Sequence, residues 1–414
     1  MQNSALSDRT SQVASVPPRI ASIDIYRGLV MFLMLFEMVH LEEVSAKLKD
    51  DSTRSETQRG ISNIIHFNVS HVDWEGCSLH DLIQPSFSFL VGCALAFSIK
   101  KRLGMGQSFG KMLVHALSRS FILVALGVLL RSLHTDRIAF RFDDTLCQIG
   151  LGYTFLFLIA MLPSKAWYVA LGLILIGYWG AFVAYPLPST EFDYAAVGVA
   201  SDWPNHHTGI EAHWNKNSNL AWAVDRWWMN LFPRDEAFSH SDGGYATLSF
   251  IPTLATMVLG LIGGNWLRSD QTVGAKTACL AIASFVCFGL AWGIDWAELC
   301  PIVKRIWTPA WVLWSGGWCF GFLLFFYLVA DVGGWQKWAF PLNVIGSNSI
   351  VAYVMSYATA PFLEDRLTAW LGPIWDAVEK SYPHSTPLFV GILTFVVIWW
   401  VLYWMNKHKL YVRI

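Results

Sequence analysis

Long stretches without Asp, Glu, Lys or Arg recur along the chain, separated by short polar segments. A helix rises about 1.5 Å per residue and needs about 20 mostly apolar residues to cross the hydrocarbon core of a bilayer. Ten stretches approach this length if a few charged residues in the first and third are tolerated. We therefore predict an all-α polytopic membrane protein, a bundle of about ten transmembrane helices. The stretches are 20–41, 82–99, 112–130, 145–164, 166–190, 243–267, 277–294, 306–330, 338–363 and 381–406.

The polar segments divide the chain into a tail, a membrane domain and a second tail. Residues 1–19 are predicted to form a polar N-terminal tail, residues 20–406 the transmembrane domain, and residues 407–414 a basic cytoplasmic tail. The domain contains two long polar loops, at about 42–81 and 186–245. Long loops on a rigid scaffold often carry function, so both are candidates for a site.

Composition excludes the main alternatives to a membrane protein. Only 14% of the 414 residues are charged, 54% are hydrophobic and the mean hydropathy is +0.42. Soluble domains carry about 25% charged residues and cannot bury so much apolar surface. The hydrophobicity excludes a disordered chain, and seven Cys in 414 residues exclude a disulfide scaffold.

The net charge of −1 conceals an uneven distribution of charged residues. Because Lys and Arg concentrate in cytoplasmic loops, we predict that both termini are cytoplasmic. With ten spans, the cytoplasmic segments then carry a net charge of about +10 and the outer segments about −11. The basic side would attract anionic molecules, and the acidic side cationic ones.

The loop 66–81 contains the densest cluster of reactive side chains. Imidazole and carboxylate groups can bind zinc, but the spacing of the three His matches no metal motif. One His could instead act as a general base, because imidazole titrates near pH 6.5. A hydrogen-bonded loop histidine is the simplest alternative, and the residues alone leave all three open. The cluster comprises His66, His71, Asp73, Glu75, His80 and Asp81.

Charged residues within the predicted spans are costly and often mark functional sites. Asp24 and Arg27 lie three residues apart and share one face of the first helix, as do Glu37 and His40. Arg119 lies in the third span. For Asp24 and Arg27, the alternative is an interfacial pair that only orients the helix.

The second long loop is rich in tryptophan, which has two interpretations. Tryptophan is common at membrane–water interfaces, and it also stacks on the faces of sugars. The tryptophans are Trp203, Trp214, Trp222, Trp227 and Trp228.

Cys77 and Cys300 both fall on the predicted outer side, and the sequence leaves open whether they form a disulfide.

Two motifs in the chain are specific: His71-x-x-Trp74-x-Gly76, and Asp81-Leu-Ile-Gln-Pro85, which continues to residue 92. They resemble the heparan-α-glucosaminide N-acetyltransferase family and its bacterial relatives. The matches follow the family's order along nearly the whole chain. The weaker motifs are Ser22-Ile-Asp24-Ile-Tyr-Arg27-Gly28, Arg119, Ile149-Gly150-Leu-Gly-Tyr153, 219–226, Asp242-Gly-Gly244, Ile306-Trp307-Thr308 and 331–348.

The resemblance implies a membrane enzyme that moves an acetyl group from cytoplasmic acetyl-CoA to an amino sugar on the opposite side. It places the family's reactive histidine at His71, as general base or acetyl carrier, and its carboxylate at Asp81. The residues expected to bind the coenzyme A donor are Arg27, Arg119, Asp24, Lys101 and Arg102. Those expected to bind the acceptor are Trp74, Glu37, His40, Asp242 and Asn348.

Two departures from the family pattern bear on donor geometry or acceptor identity. The chain reads Glu37-Met38 near the end of the first helix, where the family has an asparagine, and Gln148 where the family prefers arginine.

The expected partners follow from this interpretation. They are membrane lipid, acetyl-CoA and a glycan or amino-sugar acceptor, with neither metal nor nucleic acid; a homo-oligomer is left open. The expected location is the bacterial inner membrane. The alternative function is a transporter or flippase of a small anion or glycolipid, which would share the helices and the intramembrane charges.

Overall fold

The computed structural model describes residues 20–133 and 135–412. The predicted tail 1–19 and the last two residues of the predicted basic tail lie outside the described residues. Within them the secondary structure is helical, apart from an isolated bridge between Glu75 and Val303. The α-helices are α1 (Ala21–Phe36), α2 (Leu41–Asp50), α3 (Glu56–Val69), α4 (Ile83–Gly104), α5 (Phe109–Ser132), α6 (Thr145–Ala160), α7 (Ser164–Ala184), α8 (Leu220–Met229), α9 (Phe250–Arg268), α10 (Val273–Trp296), α11 (Pro309–Phe326), α12 (Phe340–Ser347), α13 (Ser349–Ala358), α14 (Ala360–Trp370), α15 (Gly372–Ser381) and α16 (Thr386–Lys407).

Seven helices in the described part of the chain are long and apolar enough to cross a membrane: α4, α5, α7, α9, α10, α11 and α16. Helices α1 and α6 have 16 residues each and are shorter than a typical span. The prediction of an all-α, multi-pass membrane protein is confirmed. The count of ten spans and the cytoplasmic position of both termini stay predictions.

The predicted span 338–363 is wrong as a continuous helix. It is divided into α12, α13 and the start of α14, with breaks at Asn348 and Thr359. At the first break, the Asn348 side chain donates to the backbone oxygen of Leu410 (3.0 Å) and accepts from the backbone N–H of Val412 (3.1 Å). Asn348 therefore holds the C-terminal segment against the bundle.

The first predicted span is also shorter than expected. Helix α1 ends at Phe36, a 3₁₀ turn covers Glu37–Val39, and His40 takes a left-handed conformation with φ of 54°. This turn separates α1 from α2, so Glu37 lies at a helix end rather than on a continuous helical face with His40.

Helices α4 and α9 form the centre of the bundle and approach each other closely through glycines. A Cβ atom on Gly260 would lie 1.8 Å from the carbonyl oxygen of Phe89, and one on Gly92 would lie 1.9 Å from that of Met257. Small residues permit such close crossings in membranes. Because α4 is central, the residues just before it are held in a fixed position.

The second long loop folds against the bundle instead of extending from it. Trp214 is completely buried and Trp222 nearly so, whereas Trp227 is 64% exposed. The two buried tryptophans pack in the interior, so they are neither interfacial belt residues nor platforms for a sugar.

Candidate active site around His71 and Asp81

Asp81 is a fully buried carboxylate that the chain holds in one orientation. It lies in the 3₁₀ turn His80–Leu82 that leads into α4. Its Oδ2 atom accepts hydrogen bonds from the backbone N–H of Ser78 (3.1 Å), the hydroxyl of Ser78 (3.0 Å) and the backbone N–H of Val72 (3.3 Å). These bonds leave Oδ1 for other partners.

His71 is one of those partners. Its Nδ1 atom lies 2.7 Å from Asp81 Oδ1. A carboxylate only accepts hydrogen bonds, so in the tautomer that donates from Nδ1 to Asp81 the Nε2 atom keeps a lone pair. The His80 ring lies 4.3 Å from the His71 ring between centroids, and His80 Nε2 is 3.2 Å from Glu37 Oε1. These contacts orient the His71 ring, and no residue in the described part of the chain forms a hydrogen bond with its Nε2 atom.

Lys304 is the third member of the site, and sequence reasoning missed it. Its Nζ atom lies 3.1 Å from Asp81 Oδ1 and 3.0 Å from His71 Nδ1, and its side chain is only 5% exposed. A buried ammonium is costly unless it is paired, and Asp81 pairs it here. The available signal was the Lys304-Arg305 pair just before an apolar stretch, on the side predicted to be poor in basic residues.

The segment that carries Lys304 is tied to the loop that carries His71. Arg305 donates to the backbone oxygens of Val72 (2.9 Å) and Gly243 (3.0 Å). The backbone N–H of Gly76 donates to the backbone oxygen of Ile302 (3.0 Å). These contacts bring three distant parts of the sequence together and fix the position of Lys304.

The surroundings of His71 favour its neutral form. Burial and the nearby positive charge of Lys304 lower the pKa of His71 from 6.5 to about 4, although the hydrogen bond to Asp81 opposes the shift. His71 is therefore neutral at neutral pH, and its Nε2 atom can accept a proton.

A cavity of about 300 Å³ adjoins these groups. This volume lies near the lower end of the range of about 300–1,000 Å³ for small-molecule sites. The cavity extends from His71 to the end of α5 and the start of α6. Its lining residues are Met34, Glu37, His71, His80, Ile83, Gln84, Phe87, Arg131, Asp143, Asp144, Thr145, Tyr245, Lys304, Tyr353 and Tyr357.

The residues predicted to bind the donor do not line this cavity. Arg27 pairs with Asp24 (2.6 Å) and donates to the backbone oxygen of Gly346. Arg119 lies over the Tyr153 ring, 4.6 Å from its centroid. The five residues, which include Lys101 and Arg102, lie about 10–25 Å from the nearest cavity-lining residue on α1, α4 or α5, at about 1.5 Å per residue. Any role in donor binding is exerted away from His71.

Most of the residues predicted to bind the acceptor also lie outside the cavity. Glu37 lines it. Trp74 is completely buried, and the side chain of Asp242 is fully exposed. His40 pairs with Glu364 (3.2 Å) instead of Glu37. Trp74, Asp242 and His40, together with Asn348 at the helix break, therefore do not line the cavity.

The two departures from the family pattern have structural explanations. Gln148 is buried, and its amide donates to the backbone oxygens of Phe142 (2.7 Å) and Thr247 (3.2 Å). It ties the α5–α6 connection to the segment before α9. Met38 is buried in the turn after α1, whereas its neighbour Glu37 faces the cavity.

The alternatives left open for the cysteines and for zinc find no support in the described chain. Cys77 and Cys300 are both free thiols. Within residues 20–133 and 135–412, no group of three or more His, Cys, Asp or Glu side chains is arranged to hold a metal ion. His66 lies at the end of α3, with Nδ1 3.3 Å from the backbone oxygen of Glu42.

Comparison with known proteins identifies distant relatives. No family model matches the chain. It is 24% identical over 386 residues to heparan-alpha-glucosaminide N-acetyltransferase of Homo sapiens, covering 83% of this chain and 54% of the human protein. The Mus musculus protein of the same name is 24% identical over 385 residues, covering 81% and 53%. The chain thus spans about half the length of the curated relatives it matches, and it is distantly related to them.

Proposed function

We propose that this chain is a membrane-embedded acetyltransferase. It would move an acetyl group from acetyl-CoA to an amino sugar or a similar amine or hydroxyl acceptor. The observation that carries the proposal is the His71–Asp81–Lys304 group on the wall of a cavity. The distant relationship to two N-acetyltransferases supports the reaction class.

The two ends of the bundle suit the two substrates. The phosphates of coenzyme A are anionic. Positively charged side chains that could bind them lie away from the cavity, at Arg27, Lys101, Arg102 and Arg119. We place this end in the cytoplasm and the His71 end on the outer side of a bacterial inner membrane. The thioester would then reach His71 from the basic end, and the acceptor would enter from the opposite side.

The proposed chemical step is direct transfer with His71 as general base. The acceptor nitrogen attacks the thioester carbonyl carbon, a C–N bond forms, and His71 Nε2 takes a proton from the nitrogen. Collapse of the tetrahedral intermediate breaks the C–S bond, and the imidazolium returns the proton to the thiolate. Asp81 stabilises the imidazolium while it exists, as a buried carboxylate does in other acyl-transfer sites.

Two groups on the cavity wall can stabilise the oxyanion of the intermediate. Lys304 brings a positive charge, and Gln84 brings a side-chain amide. Preorganised donors of this kind contribute most where water is excluded. Lys304 thus has two roles in the proposal: it keeps His71 neutral before the reaction and offsets negative charge during it.

The proposal is tested with purified protein, radiolabelled acetyl-CoA and glucosamine. Labelled N-acetylglucosamine, identified by mass spectrometry, is the expected product; glucose, which lacks the amine, is the matched control acceptor. Absence of transfer, of acetyl-CoA hydrolysis and of coenzyme A binding would contradict the proposal and favour transport.

The low pKa of His71 predicts the pH dependence of the reaction. Because a base works in its unprotonated form, kcat/KM at fixed neutral-amine concentration should not fall between pH 7 and pH 5. It should decline only as the pH approaches the His71 pKa of about 4. A decline centred near pH 6.5, the ordinary value for histidine, would show that Lys304 and burial do not control the base.

A further inference from the structure

The far end of the cavity contains two carboxylates, each held by one oxygen atom only. Asp144 Oδ1 caps α6 by accepting from the backbone N–H groups of Leu146 (2.9 Å) and Cys147 (3.1 Å). Asp143 Oδ2 accepts from the Arg141 guanidinium (2.8 Å). Among the residues that the structure describes, the second oxygen of each, Asp144 Oδ2 and Asp143 Oδ1, has no hydrogen-bond partner.

These two carboxylates are buried, which makes the missing partners significant. The Asp143 side chain is 8% exposed and Asp144 is 5% exposed. A buried carboxylate oxygen without a hydrogen bond costs free energy, so native proteins seldom retain one without a reason. Both residues line the cavity that contains His71, and a ligand there could supply the missing donors.

A guanidinium lies beside the carboxylates without satisfying them. Arg131, at the end of α5, has Nη2 4.0 Å from Asp143 Oδ1, beyond hydrogen-bonding distance, and its Nε atom also lacks a partner. Arg131 lines the same cavity. Within the described part of the chain, this end of the cavity therefore contains two carboxylate oxygens that lack a hydrogen-bond donor and a guanidinium nitrogen that lacks an acceptor.

Only some ligand groups match both requirements. A carboxylate only accepts hydrogen bonds and a guanidinium only donates, whereas a hydroxyl does both. An ammonium group would leave Arg131 unmatched, and a phosphate would leave Asp143 and Asp144 unmatched. A pair of neighbouring hydroxyl groups can donate to the carboxylates and accept from the guanidinium.

Aromatic rings complete the wall. Tyr353 and Tyr357 stack on each other with ring centroids 5.1 Å apart, and both line the cavity. Sugar rings combine a hydroxylated edge with C–H faces, and binding sites match them with a few polar groups on an aromatic wall.

We propose that Asp143, Asp144 and Arg131 form a subsite that binds the ring hydroxyl groups of the acceptor. This inference rests on the proposed function and assigns the acceptor's recognition to residues other than those singled out in the sequence. The acceptor lies with its hydroxyls at this subsite and its reacting amine toward His71. The subsite selects polyhydroxylated amines over simple ones.

The test compares two amines as substrates of the intact chain, with acetyl-CoA as donor. Glucosamine carries ring hydroxyls, whereas cyclohexylamine has a ring and an amine but no hydroxyl. Asp143→Asn and Asp144→Asn each remove one charge, and Asn is also a good helix N-cap. Asp136→Asn, an exposed aspartate in the same α5–α6 connection, is the matched control.

The expected result is a change in KM for one amine only. Loss of a hydrogen bond to a charged group should raise the KM for glucosamine about tenfold or more. The KM for cyclohexylamine and both kcat values should stay within about twofold, because the reacting groups are untouched. The Asp136→Asn control should match the wild type with both amines.

Other outcomes would overturn the inference. An unchanged KM for glucosamine, or an equal rise in KM for both amines, would show that the carboxylates do not bind the hydroxyl groups of the acceptor. Thermal unfolding in detergent shows whether each Asn variant is folded. Arg131→Gln, for which we expect the same change in KM, replaces any Asn variant that is not folded. If the wild type acetylates neither amine, both the proposed function and the subsite are contradicted. If the wild type acetylates both amines and the variants do not change the KM for glucosamine relative to that for cyclohexylamine, only the subsite is contradicted.

Discussion

His71→Ala is expected to reduce acetyl transfer from acetyl-CoA to glucosamine by about 10²- to 10⁴-fold, the usual contribution of a positioned general base. His71 is held by Asp81 through Nδ1, so its Nε2 atom is left to take the proton of the attacking amine. Alanine cannot accept that proton. Binding of acetyl-CoA should persist, because the cationic residues assigned to the donor lie away from His71.

A control variant separates the loss of the base from a general effect of replacing a histidine in this loop. His66→Ala is the matched control, since His66 lies five residues earlier and its Nδ1 atom lies 3.3 Å from the backbone oxygen of Glu42. It should retain wild-type activity. Equal labelling of the product by wild type and His71→Ala would end the catalytic role of His71.

A second experiment on the same protein tests the direct-transfer step. Wild-type protein is incubated with labelled acetyl-CoA in the absence of acceptor and then digested. Direct transfer predicts no label on the peptide that contains His71. A labelled His71 peptide that passes its acetyl group to glucosamine would make His71 an acetyl carrier.

The helices were predictable because lipid contact imposes a simple rule on sequence. Stretches such as 82–99 and 277–294 lack charges over a membrane-spanning length, and each coincides with part of a long helix, α4 and α10. The interruption at Asn348 was not predictable in this way. Its side chain binds the backbone near residue 410, a contact between segments about 60 residues apart that no local pattern encodes.

The His71–Asp81 pair was within reach of sequence reasoning, whereas Lys304 was not. His71 and Asp81 are ten residues apart in one loop, and a resemblance of motifs singled both out. Lys304 is separated from Asp81 by 223 positions and reaches it through tertiary packing. A single lysine before an apolar stretch looks the same whether it faces water or a buried carboxylate.

For the residues expected to bind the acceptor, side-chain chemistry alone did not predict burial or position. Trp74 and Asp242 have chemistry that suits a sugar, yet one is completely buried and the other is exposed away from the cavity. Asp143 and Asp144 directly precede α6, and because aspartate is a common helix N-cap, the sequence alone does not mark them as a binding site. Only the packing of α5 against α6 shows that a second oxygen of each lacks a partner.

The Asp81–Lys304 ion pair yields the largest expected effect on stability. Asp81→Asn leaves the Lys304 ammonium buried without a counter-charge, and Lys304→Met leaves the Asp81 carboxylate without one. Removing one partner of a buried pair typically costs about 3–5 kcal/mol. Each single variant should therefore lose stability to denaturant in detergent by about this amount.

The double variant distinguishes the pair from its separate parts. Asp81→Asn with Lys304→Met removes both charges, so most of the lost stability should return. The exposed Glu43–Lys47 pair on α2 (2.6 Å) is the matched control, where Glu43→Gln and Lys47→Met should each cost only about 0–1 kcal/mol. Additive losses in the double variant at Asp81 and Lys304 would contradict a coupled pair.

In the same variants, the rate of acetyl transfer and its pH dependence should change differently from the stability. The double variant regains stability but has no carboxylate to stabilise the His71 imidazolium, so its transfer rate should stay low. In Lys304→Met alone, the positive charge that lowers the His71 pKa is gone while Asp81, which raises it, remains. The acidic decline in kcat/KM should therefore move upward from about pH 4. A decline that stays in place would mean that burial alone sets the His71 pKa, and that Lys304 serves only to pair with Asp81.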